Sequence, residues 1–67
     1  MKILIIIPTY NEAENILQVI SKVFDVLEHA HVLVVDDASP DGTGRLVEEA
    51  IAKSKKENIF LFNLKII

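Results

Sequence analysis

The sequence of 67 residues has no cysteine and no tryptophan, a single tyrosine, two prolines and two glycines. Without cysteine there is no disulfide and no thiolate metal site, which suits a reducing compartment. Positive charge is scarce as well. Seven Lys and Arg stand against ten Asp and Glu, a net charge of −3. Nucleic acid demands a basic stripe that displaces counterions, so this balance argues against such a partner. No apolar run approaches the roughly 18–20 residues needed to span a bilayer. Met1-Lys2 followed by Ile3–Ile7 has the outline of a signal peptide. Its apolar stretch is too short, however, and Pro8-Thr9-Tyr10 lacks a small-residue cleavage pattern. The expected location is the cytoplasm, or the cytoplasmic face of a membrane as a peripheral protein.

Hydrophobic residues make up 51% of the chain, so it is neither disordered nor fibrous. The length permits one small domain at most. Below roughly 70–80 residues, one core seldom supplies more than a few kcal/mol without staples. The chain therefore reads as part of a domain.

Branched apolar residues come in short blocks. Ile3–Ile7 is an unbroken run, the mark of a strand buried on both faces, and Pro8 is expected to end its ladder. Asn11 is placed to cap a helix, with Glu14 three residues on and Glu12 and Glu14 in the first turn. Ala13, Ile16, Leu17, Ile20, Val23, Phe24 and Leu27 then recur at helical spacing as far as about His29. His29 falls at the expected helix end, and His31 in the following turn. Neither has metal-ligand partners at suitable spacing.

Val32–Val35 reads as a second strand, and Ser39-Pro40-Asp41-Gly42 as a turn. A second helix is expected to start between Asp41 and Gly44 and run to about Ser54. Its apolar face is Leu46, Val47, Ala50 and Ile51, and Glu49 to Lys53 is a favourable pair. Lys53, Lys55 and Lys56 suit its carboxyl end. Ile59–Phe62 is the third strand.

The order β-α-β-α-β implies a Rossmann-like α/β fold with parallel strands joined by right-handed crossovers. With a 3-2-1 strand order, both helices fall on one face and the other face stays bare. Two acidic-polar clusters follow strands one and two: Pro8-Thr9-Tyr10-Asn11-Glu12 and Asp36-Asp37-Ala38-Ser39-Pro40-Asp41-Gly42. Open α/β sheets bind ligands beyond the carboxyl ends of their strands, so both clusters should line one rim.

Asp36 and Asp37 alternate in direction, so they cannot share a job. One should face the crevice and the other hold loop amides. A carboxylate there suits a nucleobase edge, ribose hydroxyls or a metal ion; it equally suits capping the turn and the next helix. Tyr10 offers a ring to stack on a base, yet from the residue alone it reads rather as the end of a small core. Gly42 and Gly44 flank Thr43 without phosphate-loop spacing, so they serve turn geometry.

Ile-Ile-Pro-Thr-Tyr-Asn-Glu at 6–12 and Val-Leu-Val-Val-Asp-Asp-Ala-Ser-Pro-Asp-Gly-Thr at 32–43 together resemble the start of family 2 glycosyltransferases. Within that family the pattern is most similar to dolichyl- or polyprenyl-phosphate mannosyltransferases. The resemblance covers about residues 3 to 52. It implies that 1–67 is the N-terminal part of a GT-A catalytic domain. By the same resemblance, Pro8, Tyr10, Glu12, Val35 and Asp37 line the nucleotide-sugar pocket, Asn11 and Asp36 orient it, and Asp41 holds a loop. The implied reaction moves mannose from GDP-mannose to a dolichyl or polyprenyl phosphate, with Mg²⁺ or Mn²⁺ at the diphosphate.

The sequence departs from that family in three ways. It has no Asp-x-Asp metal motif, it lacks the basic residues for a diphosphate, and its ending Asn63-Leu64-Lys65-Ile66-Ile67 is apolar. The expectation is that this chain alone has no catalytic residues, no metal ligands, no turnover and at most weak nucleotide affinity. Two rival readings stand beside it. One is a non-catalytic remnant or interaction module that self-associates through the bare face. The other is a receiver-type signalling domain, suggested by Val-Leu-Val-Val-Asp-Asp but carrying Asn63 where a phosphoacceptor aspartate is needed.

Overall fold

The computed structural model describes residues 2–54 and 57–64. Five elements follow in the expected order: β1 (Leu4–Thr9), α1 (Ile16–Val26), β2 (His31–Asp36), α2 (Thr43–Ser54) and β3 (Ile59–Asn63). The three strands are parallel in the order β1-β2-β3, with β2 central. Two right-handed crossovers in that order put both helices on one face. The core lies there: Ile16, Ile20 and Phe24 of α1, Val47 of α2, Val32 and Val34 of β2 and Ile59 of β3.

Side chains alternate across the strands, so Leu4, Ile6, Leu33, Phe60 and Phe62 fall on the opposite face. Leu4 and Ile6 are 55% and 57% exposed. The sheet is therefore half-buried, and the two-sided burial expected of β1 does not occur within this chain. What the apolar run of β1 does fix is the strand itself.

Pro8 does not end β1; it pairs in register with Val35. The ladder shows why this is tolerated. Ile3 and Thr9 accept from His31 N and Asp37 N, so odd residues of β1 bond to β2. The Pro8 nitrogen then faces the free edge, where a missing N–H costs nothing.

The first helix is shorter than its apolar spacing. Asn11 does not cap it: Asn11 has φ 54, the left-handed region, and the N-cap is Asn15, which makes no side-chain capping bond. Glu12 and Glu14 consequently precede the first turn instead of sitting in it. The Glu12 carbonyl accepts from Asn15 N and Ile16 N, forming a turn ahead of the helix. At the other end Leu27 is the C-cap, so His29 lies beyond the last turn and pairs with Glu28 at 3.0 Å on the surface. The chain must turn early because His31 already belongs to β2, its N–H donating to Ile3, with its ring stacked on Phe60.

The second helix matches its expected bounds, with Lys53 in its last turn. No ion pair joins Glu49 to Lys53; the pair found among the described residues is Glu28–His29. Lys55 and Lys56 lie outside the described residues, as do Lys65–Ile67.

Candidate functional site

The two polar clusters meet at the carboxyl edge of the sheet. Thr9 and Asp36 are register partners at the tips of β1 and β2, and Asp37 N donates to the Thr9 carbonyl at 3.0 Å. Tyr10 and Asp37 follow directly, so they are neighbours at the tips of adjacent, co-directional strands. Both are exposed. Tyr10, at 58% exposure, is thus no part of a core, contrary to the reading from the residue alone. Its ring is free to face a ligand.

Alternation sorts the expected nucleotide-lining residues by face. Pro8 and Val35 are register partners on the uncovered side, and Tyr10 and Asp37 continue the same two columns. Glu12 departs from this block. It sits half-buried on the helix side, its N–H donating to Thr43 Oγ1 at 3.0 Å. Asn11 is exposed, and its N–H donates to Ser39 Oγ.

The two adjacent aspartates do divide their work. Asp36 points to the helix side and is 2% exposed. Its carboxylate accepts from Thr9 Oγ1 at 2.7 Å, from Ser39 Oγ at 2.6 Å and from Ser39 N at 3.0 Å. Burial alone pushes its pKa up, but the bonds from Ser39 and Thr9 outweigh that, and the carboxyl titrates below its ordinary value. Asp37 makes none of these bonds and stands at the rim with its carboxylate open to solvent.

Asp41 accepts from Ala13 N at 3.0 Å, Thr43 N at 3.1 Å and Thr43 Oγ1. The Thr43 hydroxyl is the chief cause of its lowered pKa, and the amides of Ala13 and Thr43 add to it against the cost of burial. Gly42 has φ 87, the left-handed turn that its lack of Cβ allows. Gly44 has a different reason to be glycine. A Cβ there would lie 2.9 Å from Asn63 Oδ1 and 3.3 Å from Asp36 Oδ2.

A cleft of about 630 Å³ opens beside this loop, lined by Asp36, Ser39, Asp41, Arg45, Glu48 and Asn63 among others. Arg45 is its cation, set among three carboxylates. Thr9, Ser39, Thr43 and Arg45 were not singled out from the sequence as site residues. Ser39 and Thr43 stood inside the Ser-Pro-Asp-Gly-Thr segment, where Ser39 read as a turn former and Thr43 only as the residue between two glycines. Thr9 gave no signal beyond its place between Pro8 and Tyr10.

Among the described residues, no group of three or more His, Asp or Glu side chains gathers to hold a metal ion. Asp36 and Asp41 spend their oxygens on hydroxyls and amides, and Glu48 accepts from the Asn63 side-chain amide at 3.5 Å, so no cluster of free carboxylates remains among the described residues. This donor set does not fit a divalent cation. No helix among the described residues is long and apolar enough to cross a membrane.

An open parallel sheet with paired polar loops at its carboxyl edge is a Rossmann-like α/β layer, with its rim where sheets of this class take ligands. Comparison with known proteins fixes which one. The profile of glycosyl transferase family 2 matches residues 4–66, and the chain belongs to that family. It is 54% identical over 46 residues to the polyprenol monophosphomannose synthase of Mycolicibacterium smegmatis, covering 69% of this chain and 17% of that protein. It is 42% identical over 59 residues to the undecaprenyl-phosphate mannosyltransferase of Micrococcus luteus, covering 88% and 24%. Identity to the dolichol-phosphate mannosyltransferase of Pyrococcus furiosus is 42% over 55 residues, covering 79% and 16%. The chain thus spans between 16% and 24% of the length of these curated relatives.

Proposed function

We propose that residues 1–67 form the nucleotide-sugar-binding part of a family 2 catalytic domain. The reaction served is transfer of mannose from GDP-mannose to a polyprenyl or dolichyl phosphate, on the cytoplasmic side. The carrying observation is the block of Pro8, Val35, Tyr10 and Asp37 at the carboxyl edge of two parallel strands. Tyr10 supplies a stacking surface and Asp37 an acceptor for base N–H or ribose hydroxyl groups. The relatives' names support the mannosyl and polyprenyl-phosphate parts of this reading.

The rim carries net negative charge, so it suits the nucleoside and works against the diphosphate. The chain alone then binds GDP-mannose weakly, with Kd on the order of 1 mM, and does not turn it over. Titration followed by NMR should shift the amides of Tyr10, Asp37 and Ala38, and Asp37→Ala should abolish those shifts. Release of GDP by the purified chain, or shifts confined to another surface, would overturn the proposal.

We propose in addition that the bare sheet face takes a second copy of the chain. The observation behind this is the exposed apolar group Leu4, Ile6, Phe60 and Phe62 on one side of one sheet.

A further inference from the structure

Three consecutive backbone N–H groups ahead of α1 are each taken by a side chain of the β2–α2 loop or of the first residue of α2. Asn11 donates to Ser39 Oγ at 2.9 Å, Glu12 to Thr43 Oγ1 at 3.0 Å and Ala13 to Asp41 Oδ2 at 3.0 Å. The acceptors are themselves held. Ser39 gives both hydroxyl and amide to Asp36, and Thr43 gives both to Asp41. These contacts close loops of 28 to 31 residues and lie outside the apolar core. Asn11 and Ala38, both non-glycine, are left-handed, a conformation that persists where surrounding bonds over-determine it.

We propose that Ser39, Asp41 and Thr43 are positioning residues, forming a clasp that fixes residues 11–13 and closes their N–H groups to anions. Successive N–H groups in a loop are an ordinary cradle for phosphate. Here two hydroxyls and a carboxylate already fill it, and the Asp41 charge repels a second anion. The diphosphate of a ligand therefore goes elsewhere than the entrance of α1. Tyr10, next to Asn11 in sequence, is held in place before any ligand arrives, which lowers the ordering cost of binding. The placing of a diphosphate and the ordering of Tyr10 for a ligand rest on the nucleotide-sugar reading; the clasp and its closure to anions do not.

The test uses the 67-residue chain and two readouts. Tyr10 is its only tyrosine and it has no tryptophan, so tyrosine emission reports the rim alone. Amide exchange followed by NMR reports each bond. Ser39→Ala should speed exchange about tenfold more at Asn11 than at Val32 and Val34, Thr43→Val likewise at Glu12 and Asp41→Ala at Ala13. Tyr10 anisotropy should fall in Ser39→Ala and Asp41→Ala. Thr43→Ser, which keeps the hydroxyl, should retain wild-type protection and anisotropy. Pyrophosphate added to the wild type should leave amides 11–13 unshifted. Pyrophosphate shifts at those amides would sink the inference without any variant having to fold. Equal acceleration at Val32 and Val34, or an unchanged Tyr10, would reduce the three side chains to general stability. GDP-mannose enters neither readout, so failure of nucleotide binding is a separate result.

Discussion

Asp36 carries more of the structure than any other carboxylate in the chain. It takes three hydrogen bonds on its side chain, and its carbonyl accepts from Leu64 N at 2.8 Å, tying β3 to the same point. Its pKa and that of Asp41 both lie below their ordinary values. A lowered pKa means that the fold prefers the charged form. That contribution is complete above the unfolded carboxylate value of about 3.9, and it is lost as pH falls through the lower folded-state values. Stability should therefore hold from neutral pH to about 4 and decline below it. Thr9→Val tests the link, because it removes one donor to a buried charge at a cost of about 1.5–3 kcal/mol. Urea denaturation at pH 7 should show that loss, and near pH 2 the loss should shrink. A loss of equal size at both pH values would mean that the Thr9 hydroxyl does not act on the carboxylate.

Between elements, glycine is favoured twice where β2 leads into α2, at Gly42 in the connection and at Gly44 in the first turn of α2, for different reasons. A Cβ at Gly42 meets nothing within 4 Å, so replacement costs backbone strain alone. Gly42→Ala should lose about 1 kcal/mol, and Gly42→Asn less, since Asn tolerates the left-handed region. Thermal or urea unfolding of the two variants side by side would show it; equal losses would put the cost in packing instead. The same connection marks how far the sequence can be read. Short apolar runs located all three strands, and helical spacing of Leu46, Val47, Ala50 and Ile51 located α2, because burial sets those patterns. The start of α1 was misplaced because the local signal at Asn11 and Glu14 is real. It lost to hydrogen bonds that the amides of residues 11–13 donate to Ser39, Thr43 and Asp41, 28 to 31 residues away, which a local pattern cannot encode. Pro8 was misjudged for a kindred reason: whether its missing N–H matters depends on which side of β1 has a neighbour. At the site, the rim position of Tyr10 and Asp37 followed from strand ends alone. That Asp36 and Asp37 point to opposite sides followed from alternation, and that Asp36 is the one held inward agrees with its expected orienting role.

Taken whole, the described residues form a two-layer unit with helices on one side of the sheet and none on the other. The open side carries Leu4, Ile6 and Pro8 on β1, His31, Leu33 and Val35 on β2, and Phe60 and Phe62 on β3, with Leu4, Ile6, Phe60 and Phe62 among the exposed large apolar residues. Charge is unevenly placed along it. Lys2 stands at the amino end, and Asp37 with the acidic loops at the carboxyl end. Two copies packed face to face with strands antiparallel bring each amino end over the partner's acidic end, whereas parallel packing sets like charges together. Covering both faces removes on the order of 1,000 Å², the lower bound for a specific interface. The expected association is therefore weak and reversible. Sedimentation should show a dimer that grows between about 10 μM and 1 mM, in the range where such small interfaces act. Ile6→Lys and Phe62→Lys should each keep the chain monomeric, since either buries an unpaired ammonium at the centre of the contact. The competing surface is the pair of free strand edges, which invites pairing through backbone groups and would propagate beyond a dimer. The Pro8 nitrogen already interrupts the β1 edge. Association that stops at two copies and responds to both lysine variants assigns the contact to the face. A compact monomer at 1 mM, or open-ended assembly indifferent to Ile6→Lys and Phe62→Lys, rules the face out.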